Sequence, residues 1–62
     1  MKNFRIYEND CGWELLTIKN DLYETKREVG KLVKKNKKII VIEHDIELDQ
    51  DDVIPIKQLI NK

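Results

Sequence analysis

The run Ile39-Ile40-Val41-Ile42 constrains this chain more than any other feature. Four β-branched residues in succession lose rotamer freedom in a helix and fit a pleated surface. A strand that is apolar at every position, rather than at every second one, calls for cover on both faces. After Ile42 the pattern alternates, with His44, Ile46 and Leu48 on one side and Glu43, Asp45, Glu47 and Asp49 on the other. The spacing predicts a strand over 38–48 that starts between two layers and ends with one acidic, solvated face.

The N-terminal segment supplies strands for it to pair with. Residues 4–8 and 13–18 read as strands around the turn cluster Asn9-Asp10-Cys11-Gly12, which makes them a β-hairpin. A regular hairpin closed by that four-residue loop sets Glu8 opposite Trp13, Ile6 opposite Leu15 and Phe4 opposite Thr17. In that register Phe4, Ile6, Trp13 and Leu15 share a core face. Arg5, Tyr7, Glu14, Leu16 and Ile18 share the other, where Arg5 and Glu14 lie diagonally as an ion pair.

Between the hairpin and the strand, positions 21–36 carry a helical pattern. Asn20 or Asp21 caps it, and Glu24 sits in its first turn. Leu22, Val29, Leu32 and Val33 form an apolar stripe with Thr25 and Lys26 beside it. Arg27, Lys31, Lys34 and Lys38 recur on the opposite side, and Gly30 suggests a close approach of the helix to the sheet. Beyond an acidic turn at 48–52, Pro55 favours an extended Ile54, so 53–56 reads as a short edge strand and 57–61 as a last helical turn. A single helix starting at Asp52 also fits that segment. The expected fold is α+β: ββαβ with a short C-terminal strand or helical turn, a small mostly antiparallel sheet with one helix packed on one face, in a single domain over 1–62.

Size and composition bound what such a domain does. With 62 residues the chain has one small core, which leaves little stability to hold a strained active site. It has no apolar run long enough for a membrane helix, and Met1-Lys2-Asn3-Phe4 begins no signal-peptide core. Its one cysteine, Cys11, fits a reducing cytoplasm. Cys11 and His44 could form a thiol–imidazole dyad only within hydrogen-bond reach and with a third group to orient the imidazole, but Cys11 sits in a tight turn and His44 reads as a semi-buried sheet residue hydrogen-bonded to a neighbour. No metal-ligand set, phosphate-binding loop or nucleophile motif is present, so no metal, cofactor or small-molecule substrate is expected, and no enzymatic activity. Alanine and serine are absent while lysine, isoleucine and asparagine abound, a bias toward AT-rich codons of the kind found in phage and mobile-element genes.

The charges are segregated. Seven basic residues and one acid lie between positions 26 and 38, and six acids without lysine or arginine lie between 43 and 52. Three functional expectations follow. The first is a cytoplasmic, non-enzymatic protein–protein interaction module, a phage accessory protein or an inhibitor of a host protein. It binds a second copy of itself, as a homodimer, or a larger protein through Arg5, Tyr7, Leu16 and Ile18, because apolar residues stand on both faces of a very small sheet. The C-terminal segment folded back over those residues is the competing explanation for them. The second is nucleic-acid binding through Arg27, Lys31, Lys34, Lys35 and Lys38. The third is an acidic mimic of DNA presented by Glu43, Asp45, Glu47 and Asp49, for which solvation of an exposed strand is the plainer account.

Overall fold

The computed structural model describes residues 1–60. Six elements follow in the order β1 (Lys2–Asn9), β2 (Trp13–Lys19), α1 (Leu22–Lys34), β3 (Ile39–Asp45), β4 (Gln50–Ile54) and α2 (Ile56–Ile60). The strands form one sheet in the order β2-β1-β3-β4 with every pairing antiparallel. This is the expected α+β fold, with both an edge strand and a helix at its C-terminal end.

The β-branched run lies in β3, between β1 and β4. Val41 is fully buried, and Ile39 packs against the core from the same face. β3 stops at Asp45 instead of continuing to Leu48. The Asp45 carboxylate accepts from the backbone N–H groups of Glu47 (3.0 Å) and Leu48 (3.2 Å), which turns the chain through 46–49. Asp49 then takes a left-handed φ of 52°, which a short polar side chain tolerates. The Leu48 amide, with that of Glu47 and the nearby ammonium charges, holds the Asp45 carboxyl below the usual aspartate range.

α1 starts where its cap places it and stops for an identifiable reason. The Asp21 side chain accepts from Tyr23 N–H, and Thr25 donates both its backbone N–H and its hydroxyl to the Asp21 carbonyl. Thr25 is fully buried and spends its hydroxyl on that bond, so it adds no unsatisfied polar group to the core. At the other end Lys37 N–H reaches the Leu32 carbonyl and Asn36 N–H the Val33 carbonyl, with Asn36 at φ 58°. These two bonds and a left-handed asparagine close a Schellman cap, so the helix ends at Lys34 rather than at 36.

Gly30 is not a point of close packing. A β-carbon there would meet no atom within 4 Å. Gly30→Ala is therefore expected to stabilise the fold by about 1 kcal/mol through helix propensity alone, raising the thermal midpoint by roughly 4–8 °C for a domain of this size. Calorimetry of the two proteins checks it, and an unchanged or lower midpoint contradicts the open space around this position.

Both helices lie on one side of the sheet. The core consists of Phe4, Ile6, Val29, Leu32, Val41 and Leu59, with Val33, Ile39, Ile54 and Ile56 packed against it. Pro55, which has no N–H to offer a neighbouring strand, ends β4, and its carbonyl accepts from Gln58 N–H to open α2. α2 packs against α1 and sets Leu59 into the same core. The C-terminal segment thus does not fold over the far face of the sheet, and position 61 of the expected last turn lies outside the described residues. The molecule is correspondingly thin, 33 × 30 × 16 Å.

Candidate interaction surface

The hairpin register decides which side chains reach the uncovered face. Pairing runs Asn9–Trp13, Glu8–Glu14 and Tyr7–Leu15, then shifts by one residue to Ile6–Thr17, Arg5–Ile18 and Phe4–Lys19. Leu16 is the extra residue of a β-bulge and has no cross-strand partner. The expected register, with Ile6 opposite Leu15 and Phe4 opposite Thr17, is therefore not the one formed. Because side chains alternate with period two, one inserted residue moves everything before it to the opposite face. Trp13 and Leu15, expected in the core, stand on the outer face instead, 56% and 44% exposed. Glu14 moves to the helix side opposite Glu8, so the Arg5–Glu14 pair does not form.

Three rows of residues result on the outer face, read across β2, β1, β3 and β4. The first is Leu15, Tyr7 and Ile40, with Trp13 and Asn9 beyond it. The second is Ile18, Arg5, Ile42 and Val53. The third, without β2, is Asn3, His44 and Asp51. Ile18 and Val53 are 47% and 60% exposed, while Tyr7, Ile40 and Ile42 are half-buried between them. The face thus has an apolar end, an apolar row interrupted by one cation, and a polar end. Of the four residues expected at an interface, Arg5, Tyr7 and Ile18 lie together on this face, and Leu16 stands exposed at the bulge on the edge strand. Trp13, Leu15 and Val53 extend the patch. No sequence pattern marks the bulge that brings in the first two.

The polar end is specific in its contacts. His44, with a side chain 14% exposed, lies 2.5 Å from the Asp51 carboxylate through Nδ1, as a semi-buried sheet histidine bonded to its neighbour. Asn3 Oδ1 and Arg5 Nε are buried with no hydrogen-bonding partner among the described residues. Arg5 is thus a half-buried cation in an apolar row, with its Nε left for a partner outside the described residues.

The other expected sites are dispersed. Arg27, Lys31 and Lys34 lie on α1 and Lys35 is its C-cap, but Lys38 lies outside the helix, where its carbonyl accepts from Asn9 N–H beside β3. The stripe through Lys38 is therefore broken by the cap at Asn36. Glu24 and Glu28 share a shallow hollow of about 160 Å³ with Lys19, Arg27 and Lys31, and Arg27 also lies 6.0 Å from the centre of the Tyr23 ring. The acidic ladder is broken as well. Glu43 and Asp45 project on the helix side, Glu47 and Asp49 belong to the 46–49 turn, and Asp51 is on the outer face. Glu43 pairs with Lys2 at 3.7 Å. No single carboxylate face of the expected kind exists, because the strand that should carry it ends at Asp45.

Cys11, in the exposed hairpin turn, and His44, opposite Asn3, are at opposite ends of the sheet, so no thiol–imidazole dyad forms. Among the described residues there is no cluster of metal-ligating side chains, and no helix is long and apolar enough to cross a membrane. A cleft of about 260 Å³ on the helix side is lined by Leu22, Lys26, Glu43, Ile54, Gln58 and Leu59. It offers one lysine and one carboxylate on otherwise apolar or amide walls. Comparison with known proteins finds no matching family model, no matching curated protein and no matching solved structure.

Proposed function

We propose that this chain is a non-enzymatic protein–protein interaction module that binds through the uncovered face of its sheet. The observation that carries this reading is the grouping of Trp13, Leu15, Ile18 and Val53, each roughly half exposed or more, on one face that neither helix covers. An apolar patch of this extent on so small a domain marks a site of association. Aromatic anchors are characteristic of such sites, and Trp13 and Tyr7 supply them here. On α1 Glu24 and Glu28 lie beside Arg27 and Lys31, which dilutes a phosphate-tracking surface there and favours the sheet face as the binding site.

The test is to place a photo-crosslinking phenylalanine analogue at Ile18, at Val53 and, as a control on the helix surface, at Glu24, in the cell that expresses the protein. Discrete protein adducts from the two sheet positions and none from position 24 are the expected result. No adduct from Ile18 or Val53, or the same pattern from all three positions, rejects the reading. Circular dichroism of each variant establishes that it is folded.

A further inference from the structure

Resting on that reading, we infer that the occupant of the uncovered face is a second copy of this chain, packed sheet against sheet about a two-fold axis. The first argument is area. A folded monomer of 7.4 kDa is expected to expose about 4200 Å² from the mass scaling of globular proteins. This chain exposes 4838 Å², several hundred Å² more. An excess of several hundred Å² approaches the ~800 Å² per partner of a standard interface, and the outer face carries Trp13, Leu15, Ile18 and Val53, each about half exposed. Burying that face against a second copy removes the surplus surface from water.

The second argument is complementarity of shape. Aligned sheets pack with strand directions about 30° apart. A two-fold axis along the strand direction lays β1 over β3 of the other copy and β2 over β4, and keeps the apolar ends together. Ile18 on β2 then faces Val53 on β4 of the other copy, while Leu15 and Trp13 extend past the end of β4, which stops at Ile54. The bulky side chains of β2 thus meet the short edge of the other sheet rather than one another, as interdigitating layers require.

The third argument is charge. The face carries one arginine against one aspartate that already holds a histidine, and the chain as a whole has formal net charge zero, so two copies do not repel. In the same arrangement Arg5 of each copy lies over Ile42 of the other, one row from that copy's His44 and Asp51, within the reach of a long side chain whose Nε lacks a partner among the described residues of the single chain.

Sedimentation equilibrium of the purified full chain, from about 1 to about 100 µM, tests the inference. The expected mass is twice the 7.4 kDa of the chain. Trp13, the chain's one tryptophan, is expected to shift its emission to shorter wavelength over the same concentration range as its ring leaves water. Ile18→Asp and Val53→Asp, both at positions exposed in the single chain, are expected to keep the far-ultraviolet spectrum and to weaken association at least about tenfold each. A monomer at every concentration overturns the inference, as does a dimer that neither substitution weakens. A monomer in solution whose Ile18 position still crosslinks to a different protein in the cell removes the second copy and leaves the interaction reading standing. A monomer without sheet-face adducts removes both.

Discussion

Ile6→Ala is expected to leave most of the chain unfolded at 25 °C. Ile6 is fully buried at the middle of the sheet, paired with Thr17 on one side and Val41 on the other. Removing its three outer carbons costs about 2–5 kcal/mol, the transfer term plus the cavity left behind. A core of six buried apolar side chains has little to set against that, since single cores of this size supply roughly 3–5 kcal/mol in all. Urea titration followed by circular dichroism measures the loss. Leu48→Ala, at a turn position that is two-thirds exposed, is the control and is expected to stay within about 0.5 kcal/mol of the parent. Equal effects from the two substitutions contradict the placement of the core.

Leu59→Ala is expected to have the next largest effect, a loss of about 2–4 kcal/mol. α2 has five residues, too short to be helical on its own. Its structure depends on Leu59, which is 5% exposed and closes the core between α1 and the sheet. Amide exchange is expected to show protection at 56–60 vanishing before that of β1 and β3, because this segment has the fewest contacts of its own. A Leu59→Ala protein as stable as the parent would mean that the core is complete without α2. The expectation also bears on the uncovered face, since a segment committed to the helix side through Leu59 is not free to cover Trp13 and Val53.

The candidate surface was legible in part. Arg5 and Tyr7 share a face of their strand by simple alternation, with Ile18 on the same face of the next, and alternation is enough to put apolar residues on both faces of the sheet. Trp13 and Leu15 were not legible. Their face depends on one unpaired residue, Leu16, and a bulge has no composition that distinguishes Trp-Glu-Leu-Leu-Thr-Ile from a regular strand. Counting hydrophobic residues even favours the regular register, which buries Trp13 and Leu15. The formed register exposes both, on the face that the area and shape arguments assign to a second copy.

The charged stripes are interrupted for a related reason. Arg27, Lys31 and Lys34 keep their helical spacing because they lie inside α1, whereas Lys38 lies beyond the left-handed turn at Asn36. Glu43 to Asp49 alternate as letters, but alternation becomes a face only while the backbone stays extended. The Asp45 carboxylate ends that by capturing two amides of the following turn. The same residue counted as one rung of an acidic ladder is thus the residue that breaks the ladder.

By itself the sequence determined the local order: a hairpin, a helix capped at Asn20 or Asp21, a β-branched strand and an extended segment before Pro55. Each follows from chemistry within a few residues, namely branching at Cβ, a side-chain oxygen at a helix start, or a missing N–H. Only the tertiary structure decided which faces these elements present. Register, the bulge at Leu16 and the docking of α2 beside α1 depend on contacts between segments far apart in the chain, and a one-residue shift in any of them exchanges inside for outside.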